Sequence, residues 1–140
     1  MDTDEIKLKH LEFIQAVISR MNKCSFLIKG WSVTLVSALF ALSAKDVNIR
    51  LVLIAYFPAI IFWILDAFFL DQEKRYRELY ALVIKNDDNI PELEMNTNKI
   101  DKIKGSWISA IFTKTLLPFH GVVIGIILLV MLGFLMEGAK

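Results

Sequence analysis

A single cysteine, Cys24, stands in a chain of 140 residues. That excludes an intrachain disulfide and any metal site built on a cysteine cluster. Cys24 lies among small polar residues near the start of an apolar stretch, the setting of a structural thiol rather than an activated nucleophile. Histidine occurs only as His10 and His120, too far apart for a metal-ligand spacing. The chain also lacks a phosphate-binding glycine-rich loop and a nucleophile elbow. Its charged segments, 1–29 and 71–114, are too short for an independent catalytic domain. Enzyme chemistry is therefore disfavoured, and no cofactor or metal is expected. Net charge is missing as well. Sixteen Lys and Arg against fifteen Asp and Glu leave +1, so no overall field recruits nucleic acid. The N-terminal residues are charged and helical in pattern, so no cleavable signal peptide is expected.

What the chain does have is apolar mass and charge together. Hydrophobic residues make up 56% and charged residues 22%, a combination that an ordinary soluble domain rarely shows. The two are segregated. Segments 1–29 and 71–114 hold 25 of the 31 formal charges, whereas 30–44, 51–65 and 115–136 contain no Asp, Glu, Lys or Arg. A transmembrane helix needs about 20 residues to cross a hydrocarbon core of roughly 30 Å. The expected fold is therefore an all-α membrane domain over 1–140 with three spans, at 26–44, 51–70 and 115–136. The first span is short unless Lys29 lifts its ammonium to the interface or is partly buried.

Lys and Arg set the expected direction. Five lie in the N-terminal segment 1–29 and eight in 71–114, thirteen in all, against Lys45, Arg50 and Lys140 on the other side. The N-terminus and 71–114 are then cytoplasmic and the C-terminus is outside. Trp31, Trp63 and Trp107 fall near cytoplasmic helix ends, where an indole N–H can reach the interface.

Residues 1–25 form the first cytoplasmic part, and within it 4–24 read as an amphipathic helix. Leu8, Leu11, Ile14, Val17 or Ile18, and Met21 recur at three- and four-residue spacing. This stripe suits a helix lying on the membrane or on its own subunit, and equally a self-association seam. The second span continues as a charged helix, because no Gly or Pro follows Asp71 before Asn86. Glu73–Arg77 and Lys74–Glu78 are i,i+4 pairs that support it. Residues 86–99 form a polar loop. Ser106 is a candidate N-cap for a short interfacial helix carrying Trp107, Ile108, Ile111 and Phe112. Lys74, Arg75, Arg77, Lys99, Lys102 and Lys104 are candidate contacts for a partner or ligand, the last three more for lipid headgroups than for a ligand.

Three ionisable groups sit inside the spans. Asp66 lies five residues inside Asp71, roughly 7–8 Å deep at 1.5 Å per residue. His120 lies six residues beyond Lys114, at roughly 9 Å, and Lys29 enters from the same side. A charge within a span costs about 2.5–3.5 kcal/mol on insertion scales, so such groups face a bundle interior or a water-filled cavity. An Asp66–Lys29 or Asp66–His120 pair would lock helix packing. Alternatively, a ring of Asp66 would line an oligomeric cation path with His120 as modulator, or Asp66 would snorkel outward. Gly121 and Gly125 form a GxxxG, with Gly133 on the same face, for packing within the subunit or between subunits. Three helices are too few to enclose a path, so any pore must be oligomeric.

The runs Ser25–Thr34, Phe62–Leu70 with Gln72–Tyr80, and Met95–Thr97 followed by Trp107 and Phe112–Thr115 resemble a family of small bacterial membrane proteins. In outline the chain is also similar to small transmembrane effectors of bacterial anti-phage conflict systems. That resemblance implies a homo-oligomeric pore or membrane-disrupting effector, triggered by a cytoplasmic signalling partner or small molecule. A separate sensor domain, common in such effectors, is absent from the sequence given. Two other functions fit the residues: a membrane anchor recruiting a cytoplasmic enzyme, and, with least support, a transporter subunit or membrane enzyme.

Overall fold

A computed structural model describes residues 2–46, 48–85, 90–98 and 108–138. Among them the chain is all-helical: α1 (Thr3–Asp46), α2 (Ile49–Ile84), the short α3 (Ile108–Ile111) and α4 (Leu116–Gly138). Helices α1, α2 and α4 are each long and apolar enough to cross a membrane.

The amphipathic helix and the first span, read from the sequence as separate parts, are one unbroken helix of 44 residues. Nothing in the chain stops it. Between Thr3 and Asp46 there is no proline, and the lone Gly30 costs only about 1 kcal/mol relative to alanine. At 1.5 Å per residue α1 is about 66 Å long, twice what a bilayer core requires. Helix α2, with 36 residues, likewise outruns a bilayer and carries Asp71 to Tyr80 in the expected continuation. Pro58 within it supplies no N–H to the carbonyl of Ile54, yet the helix runs through. Pro118 falls in the first turn of α4, where backbone N–H groups have no intrahelical partner.

The turn between α1 and α2 is closed by Asn48. Its side chain caps α2 by accepting from Arg50 N at 3.0 Å, and Ser43 Oγ donates to its carbonyl at 3.1 Å. The two helices therefore run antiparallel over their length. On α1 the buried face is His10, Ile14, Ile18, Ser32, Val36 and Ser43, positions that repeat at whole helical turns. Ile14 and Ile18 meet Leu79 and Val83 at the charged end. Val36, Val52, Ala55, Ala59, Val123 and Ile127 form the apolar core shared by α1, α2 and α4. Alanines at 55 and 59 let the backbones approach, as small residues do in lipid.

The expected stripe on 4–24 is thus corrected in composition, while packing on its own subunit is one of the uses expected of it. It packs on the subunit's own α2, His10 takes a place in it, and Leu8 is left 58% exposed. A straight 3.6-residue helix against a straight partner buries positions 10, 14 and 18, and rotates position 8 out of the seam. In the span region large side chains such as Phe57, Val122 and Leu129 face outward, as expected of a surface solvated by lipid.

Candidate functional site

The residues at 29, 66 and 120, one from each long helix, converge. Lys29 Nζ lies 2.5 Å from Asp66 Oδ2, and His120 Nε2 donates to the same oxygen at 2.8 Å. Ser25 Oγ donates to Asp66 Oδ1, and Lys29 Nζ also reaches Ser25 Oγ at 2.8 Å. Asp66 has no accessible surface, so these donors replace the water it loses. Helical spacing explains the convergence: Ser25 and Lys29 are one turn apart on the inner face of α1, and α4 delivers His120 at the same depth.

Aromatic rings seal the cluster. Trp63, one turn before Asp66, stacks on His120 with centroids 5.8 Å apart and planes 8° off parallel. Phe119 meets the imidazole edge-on at 5.0 Å and lies 5.9 Å from Lys29 Nζ. The Trp63 indole donates to the carbonyl of Ile111 at 3.1 Å, tying α3 to α2. Trp63 is thus part of the cluster rather than only an interfacial anchor. Two buried polar atoms, His120 Nδ1 in this cluster and Ser32 Oγ further along α1, have no hydrogen-bond partner among the described residues.

Each sequence candidate has a definite place. Both expected pairings of Asp66 occur at once, and the carboxylate points into its own subunit, neither snorkelling nor open on the protomer surface. Lys29 does not lift to the interface; its side chain is 23% exposed and turned inward. Ser25 is the member that sequence reasoning missed, although its i,i+4 relation to Lys29 signalled it. Gly121, Gly125 and Gly133 face away from α1 and α2, and a Cβ at any of them would meet nothing within 4 Å. They do not pack the spans of one subunit together.

Among the basic candidates on α2, Arg75 is held by Asp71 at 2.5 Å and its side chain is only 11% exposed, which withdraws it from a partner surface. Arg77 pairs with Glu73 at 2.8 Å but remains exposed. Lys74 is exposed. Lys99, Lys102, Lys104, Ser106 and Trp107 lie outside the described residues.

A second polar contact organises the charged end. His10 Nε2 lies 2.7 Å from the carbonyl of Glu94, and Tyr76 Oη donates to the carbonyl of Met95 at 3.4 Å. Segment 90–98, non-helical as expected, thereby crosses the α1–α2 pair as a strap, with Ile90 and Met95 on its core. Leu93 in this strap has φ 58°, a conformation that costs a non-glycine residue about 1 kcal/mol or more. The chain matches no family model, no curated protein and no solved structure.

Proposed function

We propose that the chain is a non-enzymatic, homo-oligomeric protein of the bacterial inner membrane, a regulated pore or membrane-disrupting effector of anti-phage defence. The N-terminus and segment 71–114 are cytoplasmic and the C-terminus is outside, following the thirteen-to-three basic asymmetry. The observation that carries the regulated part is continuity. Helices α1 and α2 each run without a break from their charged ends to the Lys29–Asp66 pair and on through the span. A partner or small molecule that twists those charged ends acts directly on that pair. The conformation described is then the closed one, with Asp66 locked inside each protomer. Assembly uses the open glycine face of α4, where a second helix can approach closely. The place in anti-phage defence rests on the likeness in outline to small transmembrane effectors.

Overexpression in cells carrying a potential-sensitive dye tests this. Wild-type protein together with its trigger depolarises the membrane, and Asp66→Asn, which weakens the lock, depolarises without the trigger. An unchanged potential in both cases sinks the pore reading.

The inward direction of Asp66 favours a second reading, a membrane anchor that recruits a cytoplasmic partner through segment 71–104 and conducts nothing. There, removal of 86–104 abolishes capture of the partner while ion flux stays at background throughout.

A further inference from the structure

The outward face of α1 carries a shallow cleft of about 400 Å³ lined by Asn22, Lys23, Phe26 and Leu27. Its position is set by the buried cluster. Ser25 and Lys29 lie level with Asp66, and α1 runs antiparallel to α2. Lys23 therefore lies between the level of Asp66 and that of Asp71, where the apolar run of α2 ends. The polar half of the cleft is at the membrane edge and the apolar half points into the span. Phe26 is 76% exposed, and Trp31 is exposed further along the same helix.

The cations here are exposed, as Lys74 is on α2. Lys23 and, one turn earlier, Arg20 are exposed and form no ion pair or hydrogen bond among the described residues. Other cations near this level, Lys29, Arg75 and Arg77, are held by Asp66, Asp71 and Glu73. Two exposed positive charges beside a carboxamide, above the exposed apolar side chains of Phe26 and Leu27, match one amphipathic ligand class. We propose that this cleft binds an anionic phospholipid. Lys23 and Arg20 contact its phosphate, Asn22 contacts its glycerol or headgroup hydroxyls, and its acyl chains lie along Phe26 and Leu27. Two cations at one headgroup favour a lipid of net negative charge over a zwitterionic one. This site rests on the reading that the three helices span a bilayer.

Native mass spectrometry of the full chain in detergent, with phosphatidylglycerol and phosphatidylcholine at equal concentration, tests it. The expected result is preferential retention of phosphatidylglycerol. Lys23→Gln and Arg20→Gln each weaken that retention about fivefold, since a cation near an anionic surface is worth about 1 kcal/mol. Lys45→Gln, at the far end of α1, leaves it unchanged. Equal retention of the two lipids, or no effect of Lys23→Gln and Arg20→Gln in variants of wild-type helicity, overturns the site. Displacement of the lipid by glycerol phosphate also overturns it, because the apolar half would then be idle. Alkaline extraction of membranes reports on the spans separately. A chain that resists extraction but shows no lipid preference defeats this proposal alone, whereas a chain that washes out defeats the membrane reading beneath it.

Discussion

Lys29 on α1 and Asp66 on α2 form an ion pair 2.5 Å long in which the carboxylate is wholly buried. Neither group could enter a span cheaply alone. Together, with Ser25 and His120 completing the shell, they join the two longest helices at the level where the third arrives.

Asp66→Ala leaves Lys29 without its counter-ion and His120 without its acceptor. The expected loss is about 3–5 kcal/mol, the range seen when one partner of a buried pair is removed. The double substitution Lys29→Met with Asp66→Leu restores most of it, because no unpaired charge remains. Denaturant unfolding in detergent, followed by helicity, gives the coupling. Additive costs for the two sites would show that the pair is not a unit.

Trp63→Phe keeps a ring beside His120 but removes the donor to Ile111. A net loss of about 0.5–1.5 kcal/mol is expected for one neutral hydrogen bond. Amides in α3 and at Thr113 should exchange faster, since the bond holds this segment on α2. Unchanged exchange there would assign the anchoring to Ala110 and Leu116 instead.

Ile14→Ala or Leu79→Ala opens a cavity where α1 and α2 meet at the charged end. Each should cost about 2–5 kcal/mol. Leu8→Ala, on the exposed side of the same helix, should change stability by less than about 0.5 kcal/mol. Hydrogen exchange across 3–24 and 71–84 separates the two outcomes. A cost for Leu8→Ala equal to that of Ile14→Ala would mean that Leu8 is covered.

His10→Ala removes the side chain that holds the Glu94 carbonyl. The strap 90–98 should loosen by about 0.5–1.5 kcal/mol, the net worth of one part-buried hydrogen bond. Limited proteolysis should then cut within 90–98 several times faster, with the rest of the chain intact. Equal cutting rates would place the restraint on Tyr76 and Met95.

Much of this architecture was legible because the bilayer simplifies the code. Three apolar stretches, the first two reaching a span's length only by taking in Lys29 and Asp66, mark the three long helices, and counting residues inward from Asp71 and Lys114 placed Asp66 and His120 at one depth. The same counting left the partner of Asp66 open, since depth carries no rotation. The packed helices turn Lys29 and His120 toward one oxygen, and bring in Ser25. Rotation also separated Leu8 from Ile14, and sent Gly121, Gly125 and Gly133 outward when their spacing suited either side. His10 was unreadable for another reason. Its partner is a backbone carbonyl in a non-helical strap, which leaves no residue-type signal to find.

The number of spans, their approximate limits and the segregation of charge follow from composition along the chain, because the cost of placing charge in hydrocarbon acts residue by residue. The closure of Asp66 within one subunit, the withdrawal of Arg75 onto Asp71 and the open glycine face of α4 depend on the angle at which each helix meets its neighbour. That angle is set by side chains far apart in sequence, Ala55, Ala59, Val36 and Ile127 among them, which fill one core only after all three helices are in place.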